Sequence, residues 1–195
     1  MTATGQILRY EVVKGDKIIG EMNVSRTFSG NHEEIELRSD VNYKLLMSFH
    51  IQYSLNEYFY NGILQNGKGH NSINGSIQKE YHIDKNPSGY RIFFSEIPTD
   101  LNYESIKYTV AKLYFIEPID GQIIFSQHFG RYLEFEEVRN HEFRMVSPDG
   151  TNYYTFENGI CTQVKVSRDF GTIYFKMKPE SYAIVKNKVD TLRNK

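Results

Sequence analysis

The sequence predicts an all-β protein: an antiparallel meander of about eleven strands, curled into a barrel or half-barrel, with one or two short helices. Three observations predict it. Apolar and polar residues alternate with period two almost from end to end. Compact turn signals separate the alternating runs, so the crossovers of about a dozen residues that a parallel sheet requires are missing. The composition, 15 Tyr, 13 Phe and 14 Gly with no Trp, suits pleated, half-buried surfaces.

Residues 7–13 (ILRYEVV) read as a strand, followed by a turn at Lys14-Gly15-Asp16-Lys17. Over 18–28, Ile18, Met22, Val24 and Phe28 share a face, and Ser29-Gly30-Asn31 turns the chain. The longest alternation follows at 35–55, IELRSDVNYKLLMSFHIQYSL, where ten of eleven odd residues are apolar or aromatic and nine of ten even residues are polar. At about 3.3 Å per residue it would span roughly 70 Å, several times a usual strand. It therefore reads as two strands that keep parity through a bend near Asp40 to Tyr43, or as one strongly coiled strand. Parity points Ile35, Leu37, Val41, Leu45, Met47, Phe49 and Ile51 inward and leaves Glu36, Arg38, Lys44 and Gln52 in solvent.

Residues 57–65 (EYFYNGILQ) read as a further strand, and a Gly-rich passage leads to Asn74-Gly75. Asn-Gly is the strongest short hairpin signal, because a type I′ turn needs positive φ at both central residues. Ile77, Lys79, Tyr81 and Ile83 then alternate with polar neighbours, and KNPSG turns into a strand at 90–96. Residues 99–114 break the pattern. Thr99 is placed to cap a helix carrying Ile106, Val110, Leu113 and Tyr114, and a strand is an equal alternative. Strands resume at 122–129, 132–138 and 141–146, Ser147-Pro148-Asp149-Gly150 is a turn, and Asn158-Gly159 makes a second Asn-Gly hairpin. A last strand covers 172–177. The tail 179–193, with Pro179 near its start and Tyr182, Val185, Val189 and Leu192 on one side, reads as an amphipathic helix. No Pro-, Ser- or Gln-rich linker or charge block divides the chain, so 1–195 is expected to form one barrel-like domain with its strands within 7–177.

With 23 basic and 24 acidic residues, nothing draws this chain to nucleic acid or an anionic membrane surface. No run of about 18 apolar residues could span a membrane as a helix. The single cysteine, Cys161, excludes an internal disulfide, which suits the cytosol and equally an exported protein that needs none. GILQNGKG at 62–69 matches the start of a phosphate-binding loop, but Gly69 stands where Ser or Thr should hold magnesium and a turn and strand follow instead of a helix. The six histidines (His32, His50, His70, His82, His128 and His141) show no metal-ligand spacing, although His82 and Asp84 share a strand face. No base accompanies Cys161, whose parity opposes Ile160, Thr162, Val164 and Val166, and it reads as a small strand residue. Glu33, Glu34, Glu117, Glu134, Glu136 and Glu137 supply carboxylates, but a glycosidase-type pair is a matter of spatial separation. No catalytic residue, metal site or cofactor is assigned.

Several segments in order, YEVVKGDKIIGEMNVSR at 10–26, YFYNGILQNG at 58–67, INGS at 73–76, KLYFIEPIDGQIIFSQHFGRY at 112–132 and SPDGTNYYTFENGICTQVKV at 147–166, resemble an uncharacterised family of exported bacterial proteins known mainly as a domain of unknown function. The resemblance covers about residues 7–177. It implies a signal peptide on the full-length product and a periplasmic or extracellular location, and brings no activity or catalytic residues. No signal peptide begins MTATGQILRYEV.

The apolar face is longer and more aromatic than one small core needs. The expectation is a monomeric, non-enzymatic module whose interior binds an apolar or amphipathic small molecule or lipid, or an envelope partner. Met47, Phe49, Tyr53, Phe94 and Tyr114 are the candidate lining residues, chosen by parity, bulk and position. The alternatives are a structural or interaction protein of the envelope with a side-chain-filled core, and a carboxylate-dependent hydrolase.

Overall fold

The computed structural model describes residues 4–44, 48–168 and 171–182. Fourteen strands among them form one antiparallel sheet. The first eight are β1 (Thr4–Lys14), β2 (Lys17–Ser29), β3 (His32–Lys44), β4 (Ser48–Tyr60), β5 (Ile63–Ile73), β6 (Ser76–Asn86), β7 (Gly89–Phe94) and β8 (Ile97–Leu101). After a crossover come β9 (Gln122–Ser126), β10 (Arg131–Arg139), β11 (Glu142–Ser147), β12 (Gly150–Glu157), β13 (Ile160–Arg168) and β14 (Gly171–Met177). The order across the sheet is β8-β7-β6-β5-β4-β3-β2-β1-β14-β13-β12-β11-β10-β9. Two meanders are thus joined where β1 pairs with β14, Tyr10 opposite Met177 through Val13 opposite Tyr174. The sheet does not close, and β8 and β9 are its edges.

It is nevertheless deeply curled. The turn after β9 reaches β7, where a Cβ on Gly130 would lie 3.1 Å from the Phe94 ring. The rings of Tyr81 on β6 and His128 meet edge to face at 6.1 Å. The crossover supplies the missing wall. Its Tyr108–Val110 stretch bonds to β9 in parallel sense (Phe125 N to Tyr108 O, 2.9 Å; Val110 N to Phe125 O, 3.1 Å). Leu64 N donates to Ile106 O at 2.8 Å, and Ile106 N donates to the Tyr90 hydroxyl at 2.9 Å. The segment then turns through a 3-10 turn, Lys112–Tyr114, inside the concavity, burying Ile106, Leu113, Tyr114 and Phe115. Lys112 is buried with it, its Nζ 3.1 Å from Glu33 Oε2 and 3.8 Å from the Phe59 ring centre. Glu33 also takes Arg26 Nε at 2.7 Å.

Parity holds through the described residues of 35–55. Ile35, Leu37, Val41 and Leu55 are buried, Ile51 and Phe49 half-buried, and Arg38, Lys44 and Gln52 exposed, while Glu36 is half-covered. The stretch is the β3–β4 hairpin, with Tyr43 opposite Phe49 and Lys44 opposite Ser48. β3 runs on through 40–43 without the expected bend; Leu45 and Met47 lie outside the described residues. Residues 57–65 are not one strand: Asn61 and Gly62, with φ of 51° and 75°, turn β4 into β5. Ile18 and Phe28 are exposed at the ends of β2 instead of sharing the buried face of Met22 and Val24. The irregular stretch 99–114 holds the end of β8, one isolated bridge and the 3-10 turn in place of a regular helix or strand. Residues 179–182 are helical; the rest of the expected C-terminal helix lies outside the described residues.

Both anticipated hairpin turns have positive φ at both central residues, 50° and 79° at Asn74-Gly75 and 51° and 76° at Asn158-Gly159. Space is not what demands glycine at Gly159, since a Cβ there would meet nothing within 4 Å. The backbone conformation alone opposes Gly159→Val, which is expected to lose about 1–2 kcal/mol. A lower urea midpoint at unchanged slope is the readout; an unchanged midpoint would overturn the turn assignment. Lys112→Ala leaves Glu33 buried with one cation fewer and unpins the crossover, and is expected to cost about 3 kcal/mol or more in the same measurement.

Candidate functional site

The strand directions gather the turns at 15–16, 74–75, 95–96, 127–130 and 148–149 at one end of the sheet. The turns at 30–31, 61–62, 87–88, 140–141 and 158–159 lie at the other. Buried rings of Phe59, Tyr90, Phe135 and Phe156, with the crossover, fill the second end. The first end holds a cavity of about 390 Å³, lined from both meanders and by Val110, Ala111 and Tyr114 of the crossover.

Most of its wall is apolar, with Val12, Met22, Leu37, Val41, Ile51 and Phe175 contributing. A polar layer crosses one side. Glu57 on β4 is 1 % exposed and accepts from Thr109 Oγ1 at 2.6 Å and from Gln127 Nε2 at 2.7 Å. Burial raises its pKa from 4.5 to about 7, against the pull of the Thr109 and Gln127 hydrogen bonds and the Lys112 charge. Beside it the hydroxyls of Tyr53 and Tyr81 bond to each other at 2.6 Å. The inward face of β5 makes room for this layer. A Cβ on Gly67 would sit 2.7 Å from the Gln127 amide, and one on Gly69 would sit 2.5 Å from the Tyr81 oxygen. Of the glycines that mimic a phosphate loop, Gly62 is a turn residue, and Gly67 and Gly69 are strand residues that admit two polar side chains. Toward the turn end, His128 Nε2 lies 3.3 Å from Asp149 Oδ2, and Arg168 donates to Asn152 Oδ1 at 2.9 Å. Burial lowers the His128 pKa.

Of the residues expected to line an interior, Tyr53 and Tyr114 do so. Phe94 packs behind the wall, between Gly130 and the Lys79 ammonium, which sits 5.1 Å from its ring centre. Phe49 is half-buried on β4 and is not among the lining residues. Met47 lies outside the described residues. Cys161 is fully buried and its carbonyl takes the Tyr10 hydroxyl at 2.7 Å; burial pushes the thiol pKa up, so it is no ready nucleophile. A bulge breaks its parity: Phe156 faces Cys161 while Thr155 faces Gln163, which turns both Cys161 and Val164 inward. His82 and Asp84, 3.9 Å apart, are both solvent-exposed. Of the carboxylates singled out from sequence, Glu34, Glu134, Glu136 and Glu137 are exposed, Glu117 pairs with exposed His141 at 2.6 Å, and Glu33 is tied to Arg26 and Lys112. A wider hollow of about 710 Å³ on the solvent face of β2–β6 is lined by Arg38, Asp40, Gln52, Lys68 and Glu80. Asp40 there is already held by His50 at 2.9 Å and Gln52 at 3.1 Å. Among the described residues no three His, Cys, Asp or Glu side chains come together as a metal site, and no helix is long and apolar enough to cross a membrane.

Glu57, the most perturbed carboxyl of the cavity, was within reach of sequence reasoning. It continues the odd-numbered stripe Ile51, Tyr53, Leu55 and Phe59, so parity alone turns it inward. Gln127, Asn71 and Arg168 gave no such signal, because turns and bulges decide where they point.

The raised Glu57 pKa has a definite consequence for stability. Between pH 4.5 and about 7 the folded protein holds a proton that the unfolded chain has released. Stability contributed by the protonated carboxyl is complete below pH 4.5 and is lost as pH rises through about 7. Wild type is therefore expected to lose about 3 kcal/mol between roughly pH 5 and pH 8 from this group. Glu57→Gln should fall less steeply than wild type over that range in urea titrations, with His128 and His141 titrating in both proteins; parallel pH profiles for the two proteins would refute the assignment.

No curated protein and no solved structure matches this chain. A family model described as Domain of unknown function (DUF6134) matches residues 10–178. The span runs from the inward stripe of β1 past the end of β14 and takes in every residue placed above in the cavity wall. By that match, over most of its length, the chain belongs to the DUF6134 family.

Proposed function

We propose that this protein is a non-enzymatic binding module that takes an apolar or amphipathic small molecule, such as a single-chain lipid, into the cavity between its curled sheet and its crossover. The observation that carries the reading is the cavity itself. Its volume of about 390 Å³ falls in the range of ligand pockets, roughly 300–1,000 Å³, and a mostly apolar wall with a few placed polar groups is what such pockets present. The other end of the interior is occupied by fully buried aromatic rings, so the space is local to one end.

A monomer working in the periplasm or outside a bacterial cell fits this reading. Neither sheet edge is well disposed to pair with another copy: β8 carries Pro98 and the exposed Arg91–Asp100 pair, and β9 is covered by Tyr108–Val110. The resemblance to exported bacterial proteins supports the location, and a buried lone cysteine is compatible with it. A second reading, an interaction protein of the envelope, draws on exposed Ile97, Ile119 and Ile123 near the two edges.

Titration with a fluorescent fatty acid and a neutral naphthyl dye distinguishes the two. Wild type is expected to bind at least one of them saturably with micromolar affinity. Val41→Trp, which places a large ring in the cavity from a buried strand position, is expected to weaken binding at least tenfold with little change in melting temperature. Absence of saturable binding to wild type would leave the interaction reading.

A further inference from the structure

Two acceptor atoms in the cavity wall have no donor. Gln127 is 3 % exposed; its amide nitrogen is spent on Glu57, and its Oε1 is sealed from solvent with no hydrogen-bond partner among the described residues. Asn71, on the inward face of β5 two residues beyond Gly69, has its Oδ1 in the same condition. Both residues line the cavity. Orphaned acceptors are costly in an interior, and natural structures leave few of them. Gln127 cannot relieve its own by turning over while Glu57 is ionised, because a carboxylate only accepts and the amide N–H must stay on it. Gly67 presses flat against that amide and fixes its place. Nearby, the Tyr53–Tyr81 pair uses one hydroxyl hydrogen for its mutual bond, which leaves the second O–H uncommitted among the described residues. The layer therefore offers two acceptors and one donor to a space whose wall is mostly apolar.

Charge narrows the ligand further. The ionisable groups on the wall besides the tyrosines are Glu57, His128, Asp149 and Arg168. Arg168 spends its Nη1 on Asn152 Oδ1 and the Ser167 carbonyl, Asp149 faces His128, and both pairs lie toward the turn end of the cavity and not in the polar layer. An anionic head group set against the polar layer would meet Glu57 and two carbonyl oxygens. A hydroxyl meets complementary partners there, since it donates to one acceptor and accepts from the free tyrosine O–H.

We propose that the cavity selects neutral apolar molecules bearing a hydroxyl group, such as long-chain alcohols, whose O–H donates to Asn71 Oδ1, the orphan acceptor that stands opposite Tyr53 in the β4–β5 ladder, and whose oxygen accepts from the free tyrosine O–H. This inference rests on the ligand-binding reading above and adds the ligand's chemical class to it.

The test is calorimetric titration of the full chain at about pH 8, where Glu57 is ionised, with 1-octanol, octyl methyl ether and octanoate. These probes share one chain and differ at the head. Octanol is expected to bind about tenfold more tightly than the ether, because the ether cannot donate and leaves unpaired the acceptor that the alcohol satisfies. Octanoate is expected to be the weakest. Asn71→Leu should cut the octanol-over-ether preference to about threefold or less without weakening the ether. Glu57 takes its hydrogen bonds from Thr109 and Gln127 and not from Asn71, so this variant spares them, whereas Gln127→Met serves as a second variant if it folds. Equal affinities for octanol and ether in wild type would overturn the hydroxyl selectivity while leaving ligand binding intact. So would an octanol preference undiminished in Asn71→Leu, or octanoate as the tightest ligand. Failure of all three probes to bind would overturn this inference together with the binding reading.

Discussion

The crossover from β8 to β9 is the element on which the rest depends. An antiparallel meander this long must deal with its edges, and this one does so without closing. The chain leaves one edge, passes along the concave side and begins the second meander at the far edge. Crossing an interior obliges a segment to satisfy its backbone polar groups. Here β9, Leu64 N and the Tyr90 hydroxyl take that part, and the Lys112–Glu33 ion pair pins the innermost turn. The same segment divides the interior. Below it the sheet faces meet through aromatic rings; above it they stay apart.

The polar layer shows how the sheet tolerates this division. Glu57, Gln127, Tyr53 and Tyr81 come from strands and a turn on opposite sides of the curl, and each needs depth that a regular side chain on β5 would occupy. Glycine at 67 and 69 provides that depth, at the cost of strand stability that glycine normally brings. A neutral residue in place of Glu57 would remove a desolvation penalty. Its retention in a fully buried position is weak evidence for stability and fits a role in arranging the cavity wall.

Much of the architecture was legible in the residues. Alternation over 35–55 gave the correct inward face at the described residues and two strands as one of two readings, and each anticipated Asn-Gly turn is one. What escaped has physical causes. Asn61-Gly62 lies inside an aromatic run whose β propensity masked the turn. Bulges at Val12/Val13 and at Thr155/Phe156 shift register, so strict parity misplaced Ile18 and Cys161. The crossover follows neither the period of a strand nor that of a helix, because its conformation is imposed by the walls around it. Within the site, strand residues such as Tyr53 were readable from parity. Gln127 belongs to a turn, and its neighbours are fixed only by how far the sheet curls.

The seam between β1 and β14 carries a consequence for how the molecule is assembled. Every other ladder joins strands that follow one another in sequence, whereas this one brings together residues about as far apart as the sheet allows. Either ladder of hairpins can zip up locally, with little loop entropy lost at each step, but their junction must wait for the ends of both. Formation of the cavity is tied to that last event, since its wall draws on β1–β6 and on β11–β14 alike. The order of chain acquisition thus makes a competent interior the final product of folding, and the seam the first place where it would be undone.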